Sequence, residues 1–325
     1  MKKGNQIMMV LAICLAVLLT VGCGNSGQGN QKQASSEKRE QVIGMSLPAA
    51  DHGWTGAIAK NAEDEAKALG VKYKILAADN PNKQVSDIES LIAQKVSVII
   101  MNPVDSAALT PIAKKVKEAN IPLIIFDREI ESGDYTLLIK GDNKGVGINA
   151  AKYIAEKLGG KGNVVDIQGV PCSVTTLRTE GFEETIKASY SGINIVASQP
   201  GDFQKEKAYS VAQNILQAQP KIDAIYTQDD EMALGVLKAI QEAKRTDIKV
   251  LTGTGGNKEY YEVIKGQKGI EVATFLYSPL MVKDCVKAAA EILKGNMPKQ
   301  KDIIIPADTV TKDNVAKFYN ENANY

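Results

Sequence analysis

Short apolar runs alternate with amphipathic stretches along most of this 325-residue chain. Residues 121–126 contain five apolar residues in nearly unbroken order without helical spacing, which predicts a strand buried on both faces. Leu109, Ile112 and Val116 recur instead at helical spacing and predict a helix over 106–120. Because strands and helices alternate in this way, the chain is predicted to form a mostly parallel sheet with right-handed crossovers and helices on both faces.

The same order of elements occurs twice. Residues 82–126 and 205–251 share the order helix, strand, helix, strand, which predicts two similar Rossmann-like α/β lobes with parallel sheets. A helix over 281–293 and a strand over 303–305 follow the second lobe, and we expect them to return to the first.

This return implies a three-crossing hinge between the lobes. The crossings are predicted near Ile139–Asp142, Tyr277–Pro279 and Ile305–Asp308. The N-terminal lobe would then comprise residues 41–140 plus 278–306, and the C-terminal lobe residues 141–277 plus 307–325.

Two local predictions concern the edges of these lobes. The first strand is predicted over Val42–Leu47, followed by a loop over 48–56 and a helix over Ala57–Leu69. Another helix is predicted over Thr179–Ser189.

The first 23 residues are predicted to be a targeting segment. Lys2 and Lys3 precede an apolar run from Ile7 to Val21, which is typical of a secretory signal and is somewhat short for a membrane span. Leu19-Thr20-Val21-Gly22-Cys23 resembles a bacterial lipobox, in which the cysteine is diacylated, although Thr20 stands where the pattern prefers Leu. Signal cleavage without lipid attachment is the alternative. Residues 24–40 are rich in Gly, Ser, Asn and Gln and are predicted to be a flexible tether.

Charge and composition narrow the classes of partner. The chain has 39 basic and 38 acidic residues, so nothing favours nucleic acid. A single His and scattered Cys residues give no metal-ligand spacing, and no cofactor is expected. The sequence leaves open whether Cys172 and Cys285 pair or stay free.

Polar residues follow several of the predicted strands. Asp127 and Arg128 end the run that begins at Ile121, Asn102 ends the strand over 96–101, and Asp229 follows the strand over 222–227. Small ligands bind at the carboxyl ends of parallel strands, so these side chains are candidates for a ligand cleft. The alternatives are a surface ion pair for Asp127 and Arg128, and a helix N-terminus for the acidic residues that begin at Asp229.

Four motifs together resemble one family. They are Ile100-Met101-Asn102-Pro103, Phe126-Asp127-Arg128, Gly141-Asp142-Asn143 and the run from Asp229 to Gly235. With the lipobox and the two lobes, they resemble the periplasmic sugar-binding proteins of ABC importers, most closely the ribose-binding-like, type I group. The resemblance extends from Gln41 to about Asp308. It implies a non-enzymatic, monomeric receptor outside the cytoplasm, lipid-anchored to the cell membrane through Cys23, that passes a monosaccharide or polyol to an ABC permease.

The resemblance also implies a set of ligand-binding residues. In the first lobe they are Asp51, His52, Trp54, Asn102, Asp127 and Arg128, and in the second Arg178, Phe203, Asp229 and Tyr277. Carboxylates, Arg and Asn suit the hydroxyl groups of a sugar, and aromatic rings suit its apolar faces. Trp54 could instead belong to the core, and His52 could instead only complete the hydrogen bonding of its loop.

Three positions depart from the pattern of the ribose binders. Asp229 stands where they have Asn, Tyr277 where they have Gln, and Gly255 where they have Asp. These differences predict that D-ribose is not the preferred ligand.

Other function classes fit less well. A dehydrogenase would share the alternation of strands and helices, but no dinucleotide-binding fingerprint follows the first strand. A sugar-responsive repressor would begin with a DNA-binding domain rather than a signal segment. A receptor of the same fold that serves chemotaxis or signalling instead of transport remains an open alternative.

Overall fold

The computed structural model describes residues 40–266, 268–323 and 325, so the predicted signal segment, the lipobox and nearly all of the predicted tether lie outside it. Within these residues no helix has the length and apolar character needed to cross a bilayer. Over the same part of the chain, no three His, Cys, Asp or Glu side chains are grouped so as to hold a metal ion. Cys172 and Cys285 are both free thiols.

The first lobe is built on a six-stranded parallel sheet with the order β11-β5-β4-β3-β1-β2, in which β11 is Asp302–Ile305. Its successive elements are β1 (Val42–Pro48), α1 (Gly53–Ala68), β2 (Lys72–Ala78), α2 (Pro81–Ala93), β3 (Val98–Met101), α3 (Ser106–Glu118), β4 (Leu123–Phe126) and β5 (Leu137–Gly141). All four residues of β4 are buried, as the apolar run that begins at Ile121 predicts.

The second lobe has a second six-stranded sheet with the order β12-β10-β9-β8-β6-β7, parallel except for β12 (Thr309–Val310). Its elements are α4 (Asn143–Leu158), β6 (Lys161–Gln168), α5 (Ser173–Ser189), β7 (Gly192–Pro200), α6 (Lys205–Ala218), β8 (Ala224–Thr227), α7 (Asp230–Glu242), β9 (Val250–Gly255), α8 (Lys258–Gly266) and β10 (Glu271–Leu276). The predicted fold of two α/β lobes with mostly parallel sheets is confirmed.

The chain passes between the two sheets three times. It leaves the first sheet after β5, and it returns after β10 through a short 3₁₀ turn (Pro279–Met281) and α9 (Val282–Leu293), which packs on α1, β3 and β4. It then adds β11 (Asp302–Ile305) to the first sheet and β12 (Thr309–Val310) to the second. Three parallel connections of this kind form a hinge.

Polar residues at strand ends cap the helices that follow. Asn80, Asp105 and Asp142 each accept a hydrogen bond from the backbone N–H three residues later, at the start of α2, α3 and α4. Such caps satisfy donors that the first helical turn leaves unpaired. They fix the loops at the carboxyl edge of the sheets, where the cleft lies.

Two predicted boundaries and two omissions need correction. The predicted loop over 48–56 ends early, because α1 begins at Gly53 and the His52 N–H donates to Thr55 Oγ1 at 3.3 Å. Helix α5 begins at Ser173 rather than Thr179, so Arg178 lies inside a helix. Helix α8 and the two-residue strand β12 have no counterpart in the sequence predictions, since neither has a long apolar run.

Candidate functional site

A cavity lies between the lobes, at the carboxyl edges of both sheets. The first lobe contributes His52, Trp54, Thr55, Asn102, Asp127 and Arg128, and the second contributes Val174, Arg178, Phe203, Asp229, Thr254 and Gly255, with Tyr277 from the hinge. All of the predicted site residues except Asp51 therefore line the same cavity.

Asp127 is held in a fixed orientation at the end of β4. Its backbone has a φ of 64°, a left-handed conformation that Asp tolerates better than most residues. Its Oδ1 accepts the Tyr277 hydroxyl at 2.6 Å, and its Oδ2 accepts Asn102 Nδ2 at 3.2 Å. The carboxylate thus joins the strand ends of the first lobe to the hinge.

Asn102 has an acceptor that the protein does not satisfy. The residue is only 1% exposed, and its Oδ1 has no hydrogen-bond partner among the described residues. A buried carbonyl oxygen without a donor carries a desolvation penalty of about 1–3 kcal/mol. This oxygen is therefore suited to accept a hydrogen bond from a ligand hydroxyl.

Arg128 lies beside Asp127 in sequence but has a different partner. Its Nη1 donates to the Val104 carbonyl at 2.9 Å, so the two neighbours do not form the simple surface ion pair considered as an alternative. Its side chain lines both the cavity and the outer mouth of the cleft.

Asp51 does not line the cavity itself but contacts His52 and Thr55, which do. Asp51 Oδ1 lies 2.6 Å from His52 Nδ1, and this contact is the main reason that the pKa of Asp51 falls to about 2. Burial alone would lower the pKa of His52, but the hydrogen bond to Asp51 and the charge of Asp229 outweigh burial and raise it. The His52 ring stacks on Phe203 of the other lobe with centroids 6.1 Å apart, so the two rings cover the cavity towards its outer mouth.

Trp54 combines both roles that the sequence allows. Its ring lies nearly parallel to Phe126, with centroids 6.2 Å apart, and it is buried in the core. Its Nε1 donates to the Tyr277 carbonyl at 2.8 Å, which satisfies the indole when it is buried. One side of the residue still lines the cavity.

Tyr277 is the central residue of the hinge side. Its hydroxyl donates to Asp127 and accepts Asn143 Nδ2 at 3.2 Å, and the Arg178 guanidinium lies 4.5 Å from the centre of its ring. Arg178 is in turn fixed by its Nε, which donates to Asn143 Oδ1 at 3.0 Å. A Cβ at Gly141 would lie 2.2 Å from the Tyr277 ring, so a glycine is needed there.

Phe203 is held in a strained backbone conformation. Both Asp202 and Phe203 have φ near 60°, which is rare for an aromatic residue and costs about 1–3 kcal/mol. The ring fills the space beside Gly169, where a Cβ would lie 1.9 Å from it. Strain of this kind is found most often at functional sites.

Asp229 shares its oxygens between a helix and a tyrosine. Its Oδ1 caps α7 by accepting the backbone N–H groups of Glu231 at 2.7 Å and Met232 at 3.1 Å. Its Oδ2 accepts the Tyr325 hydroxyl at 3.2 Å. Burial raises the pKa of Asp229 to about 6.

Sequence reasoning missed several residues of this site. Thr55, Val174, Thr254 and Gly255 line the cavity, although they were not among the predicted ligand residues. Asn143, which positions Arg178 and Tyr277, is part of a recognised motif and could have been found from it.

The comparisons with known proteins agree on one class. A sequence family described as "Periplasmic binding protein domain" matches residues 43–297. The chain is 34% identical over 315 residues to the ribose import binding protein of Bacillus subtilis strain 168, which corresponds to 96% of this chain and 100% of that protein.

Solved structures give the same result. The binding protein of the arabinose ABC transporter from Shewanella sp. ANA-3, bound to L-arabinofuranose, superposes with a TM-score of 0.79 and 29% identity, over 85% of this chain and 94% of that one. A Caulobacter myo-inositol binding protein, bound to myo-inositol, gives a TM-score of 0.80 and 26% identity, over 85% and 95%.

Proposed function

Since the chain belongs to the family of periplasmic binding proteins, we propose that it captures one monosaccharide or related polyol between its two lobes and delivers it to an ABC permease. The family assignment confirms the resemblance drawn from the sequence. The proposal places the protein outside the cytoplasm. The observation that carries it is the buried, unpaired Oδ1 of Asn102 beside Asp127 and Arg128, where a ligand hydroxyl would remove a desolvation penalty.

The charges of the cavity favour a neutral ligand. Asp127 and Asp229 stand against Arg128 and Arg178, and His52 is paired with Asp51, so neither an anionic nor a cationic ligand finds an excess of opposite charge. These groups supply both donors and acceptors around the edge of a sugar ring. The rings of Trp54, Phe203 and Tyr277 offer apolar faces for its C–H groups, which a small-molecule site of this kind needs. The ligands in the names of the relatives, ribose, arabinofuranose and myo-inositol, are neutral and rich in hydroxyls.

A thermal-shift screen followed by calorimetry tests the proposal. The screen covers pentoses, hexoses, polyols and sugar phosphates, and a tight ligand raises the melting temperature by mass action. Replacing Asn102 with Ala should weaken the best ligand by about one to two factors of ten, because its hydroxyl loses an acceptor. Asn214→Ala, at an exposed position of α6, should leave affinity unchanged. A screen without any binding sugar or polyol would refute the proposal.

D-ribose is expected to bind more weakly than the preferred ligand. Asp229 offers only acceptors where the ribose binders have an amide, and Tyr277 already donates its hydroxyl to Asp127. Calorimetry with D-ribose against the best ligand of the screen decides this point. Ribose as the tightest ligand would contradict the argument from these departures without contradicting sugar binding.

Transport and signalling can be separated in cells. We expect deletion of the gene to abolish high-affinity uptake of the radiolabelled ligand, with uptake restored by the parent chain. Unchanged uptake combined with a lost chemotactic or transcriptional response would instead favour the signalling alternative.

Lipid attachment at Cys23 forms a separate part of the proposal. It rests on the sequence Leu19-Thr20-Val21-Gly22-Cys23 after an apolar run. Radiolabelled palmitate should be incorporated into the parent protein and not into Cys23→Ala, and that variant should leave the membrane fraction while ligand affinity is unchanged. Absence of label in the parent would show that the protein has no lipid anchor.

A further inference from the structure

Tyr325 lies directly behind the ligand cavity, although nothing in the sequence marks it as a site residue. Its side chain is only 7% exposed. Its hydroxyl donates to Asp229 Oδ2 at 3.2 Å, and Asp229 itself lines the cavity. A tyrosine almost 100 residues away in sequence therefore orients one of the acidic groups of the cavity.

The space that Tyr325 occupies exists because residue 255 is a glycine. A Cβ at Gly255 would lie 2.6 Å from the Tyr325 hydroxyl oxygen, which is closer than real Cβ contacts. Gly255 also has a φ of 145°, where other residues are strained. The ribose binders have Asp at this position, and the space that Gly255 leaves is thus filled by an aromatic residue from another part of the chain.

Tyr325 lies next to two spaces in the molecule. One is the cavity, whose lining includes Gly255 and Asp229, both of which Tyr325 contacts. The other is a groove on the hinge side, which Tyr325, Gly256 and Leu276 line. Because Gly255 has no side chain, the tyrosine supplies the bulk of the partition at this point.

We propose that Tyr325 is a specificity-determining residue of the sugar cavity, whose ring limits the size of the ligand beside Gly255 and whose hydroxyl positions the Asp229 carboxylate. This inference rests on the proposed function. Ring and hydroxyl have separable effects, because Tyr325→Phe removes only the hydroxyl whereas Tyr325→Ala also opens the partition towards the groove.

The first experiment measures affinities of D-ribose, L-arabinose, D-allose and myo-inositol by calorimetry for the full chain and its variants. Tyr325→Phe should weaken all bound probes by a similar factor of about 2 to 10, because Asp229 loses one donor. Tyr325→Ala should in addition change the ratio of affinities in favour of the six-carbon probes by about tenfold. Tyr319→Ala, at a partly buried tyrosine that packs against the core of the second lobe and does not line the cavity, is the matched control and should change neither.

The results separate the two hypotheses. Ratios for Tyr325→Ala that stay within about twofold of the parent would overturn the inference while sugar binding itself stands. A parent protein that binds none of the probes, nor any compound of the wider screen, would instead refute the proposed function. The role of Tyr325 in positioning Asp229 would then be decided by the second experiment, which needs no ligand.

The second experiment needs no ligand. The carboxyl of Asp229 is followed by ¹³C NMR against pH, with its signal assigned through Asp229→Asn. A phenol that donates to a carboxylate stabilises the charged form, so Tyr325→Phe should raise the pKa of Asp229. The charged groups that face Asp229 are the same in both proteins: His52, Arg178, Asp230 and Glu231. An unchanged midpoint would overturn the positioning role whatever the probes show, and Tyr319→Ala should leave the midpoint where it is.

Discussion

Asp127 shows how a single residue serves the fold and the cavity together. Its two oxygens accept hydrogen bonds from Tyr277 and Asn102, so the carboxylate has its orientation before any ligand arrives. A group held in this way loses little conformational entropy when it binds, which is the advantage of a preorganised site. The remaining lone pairs, with Asn102 Oδ1, are then available to ligand hydroxyls.

Asp229 should make the stability of the ligand-free protein depend on pH. Burial raises its pKa from 3.8 to about 6, so between these values the folded state binds more protons than the unfolded state, and stability falls as pH rises. Asp229→Asn removes this effect and can keep the cap of α7 through its own Oδ1. The stability of the variant relative to the parent should therefore rise as the pH rises from 4 to 7, and the difference should reach about 3 kcal/mol near pH 7.

Urea unfolding of both proteins across this range measures the difference. Asp247→Asn is the control of opposite sign, because the bond from Arg245 lowers the pKa of Asp247 and this carboxylate stabilises the fold above its usual pKa. A difference between Asp229→Asn and the parent that is constant from pH 4 to pH 7 would contradict a raised pKa for Asp229.

At the scale of elements, the position of Arg178 depends on the close crossing of α4 and α5. A Cβ at Gly147 would lie 2.1 Å from the Arg178 carbonyl oxygen and 2.6 Å from the Phe182 nitrogen, both backbone atoms that cannot rotate away. A Cβ at Gly181 would similarly lie 2.2 Å from the Lys144 carbonyl. The two helices therefore approach backbone to backbone, with a glycine on each.

Gly147→Ala should force the two helices apart. We expect a loss of about 1–3 kcal/mol in the free energy of unfolding, as overpacking typically gives, and weaker ligand binding because Arg178 moves. Urea unfolding and calorimetry measure the two effects. Gly266→Ala, where a Cβ meets nothing within 4 Å at the end of α8, should instead be neutral or slightly stabilising. Equal stability of Gly147→Ala and the parent would show that the helices can separate without penalty.

The elements also show what the sequence could and could not predict. The alternation of buried strands and amphipathic helices gives the two lobes, and polar residues directly after a strand, such as Asn102 and Asp127, point to the edge where the cavity lies. The start of α1 at Gly53 depends on local hydrogen bonds between His52 and Thr55, which leave no periodic signal. Tyr325 reaches Asp229 only through the tertiary path of the chain, so no local pattern could have assigned it.

For the molecule as a whole, the two lobes are held together across the cleft by a small number of polar contacts. The Gly53 N–H donates to Glu231 Oε2 at 3.0 Å, and the Glu129 N–H donates to Ser173 Oγ at 3.1 Å. A hinge of three parallel connections allows these contacts to break without unfolding either sheet. The described conformation is thus a closed one, and a ligand that touches both lobes favours it over an open one.

Ligand binding should therefore make the protein more compact. Small-angle scattering of residues 40–325 is expected to show a smaller radius of gyration with the best ligand of the screen than without it. Glu231→Ala removes one contact between the lobes without touching the cavity lining, so the same compaction should need about 2 to 10 times more ligand. Glu184→Ala, which loses only an exposed ion pair with Lys144, should follow the parent. A scattering profile that stays the same at saturation would mean that the ligand binds without moving the lobes. A Glu231→Ala titration identical to that of the parent would show that the contact between Glu231 and Gly53 does not contribute to closure.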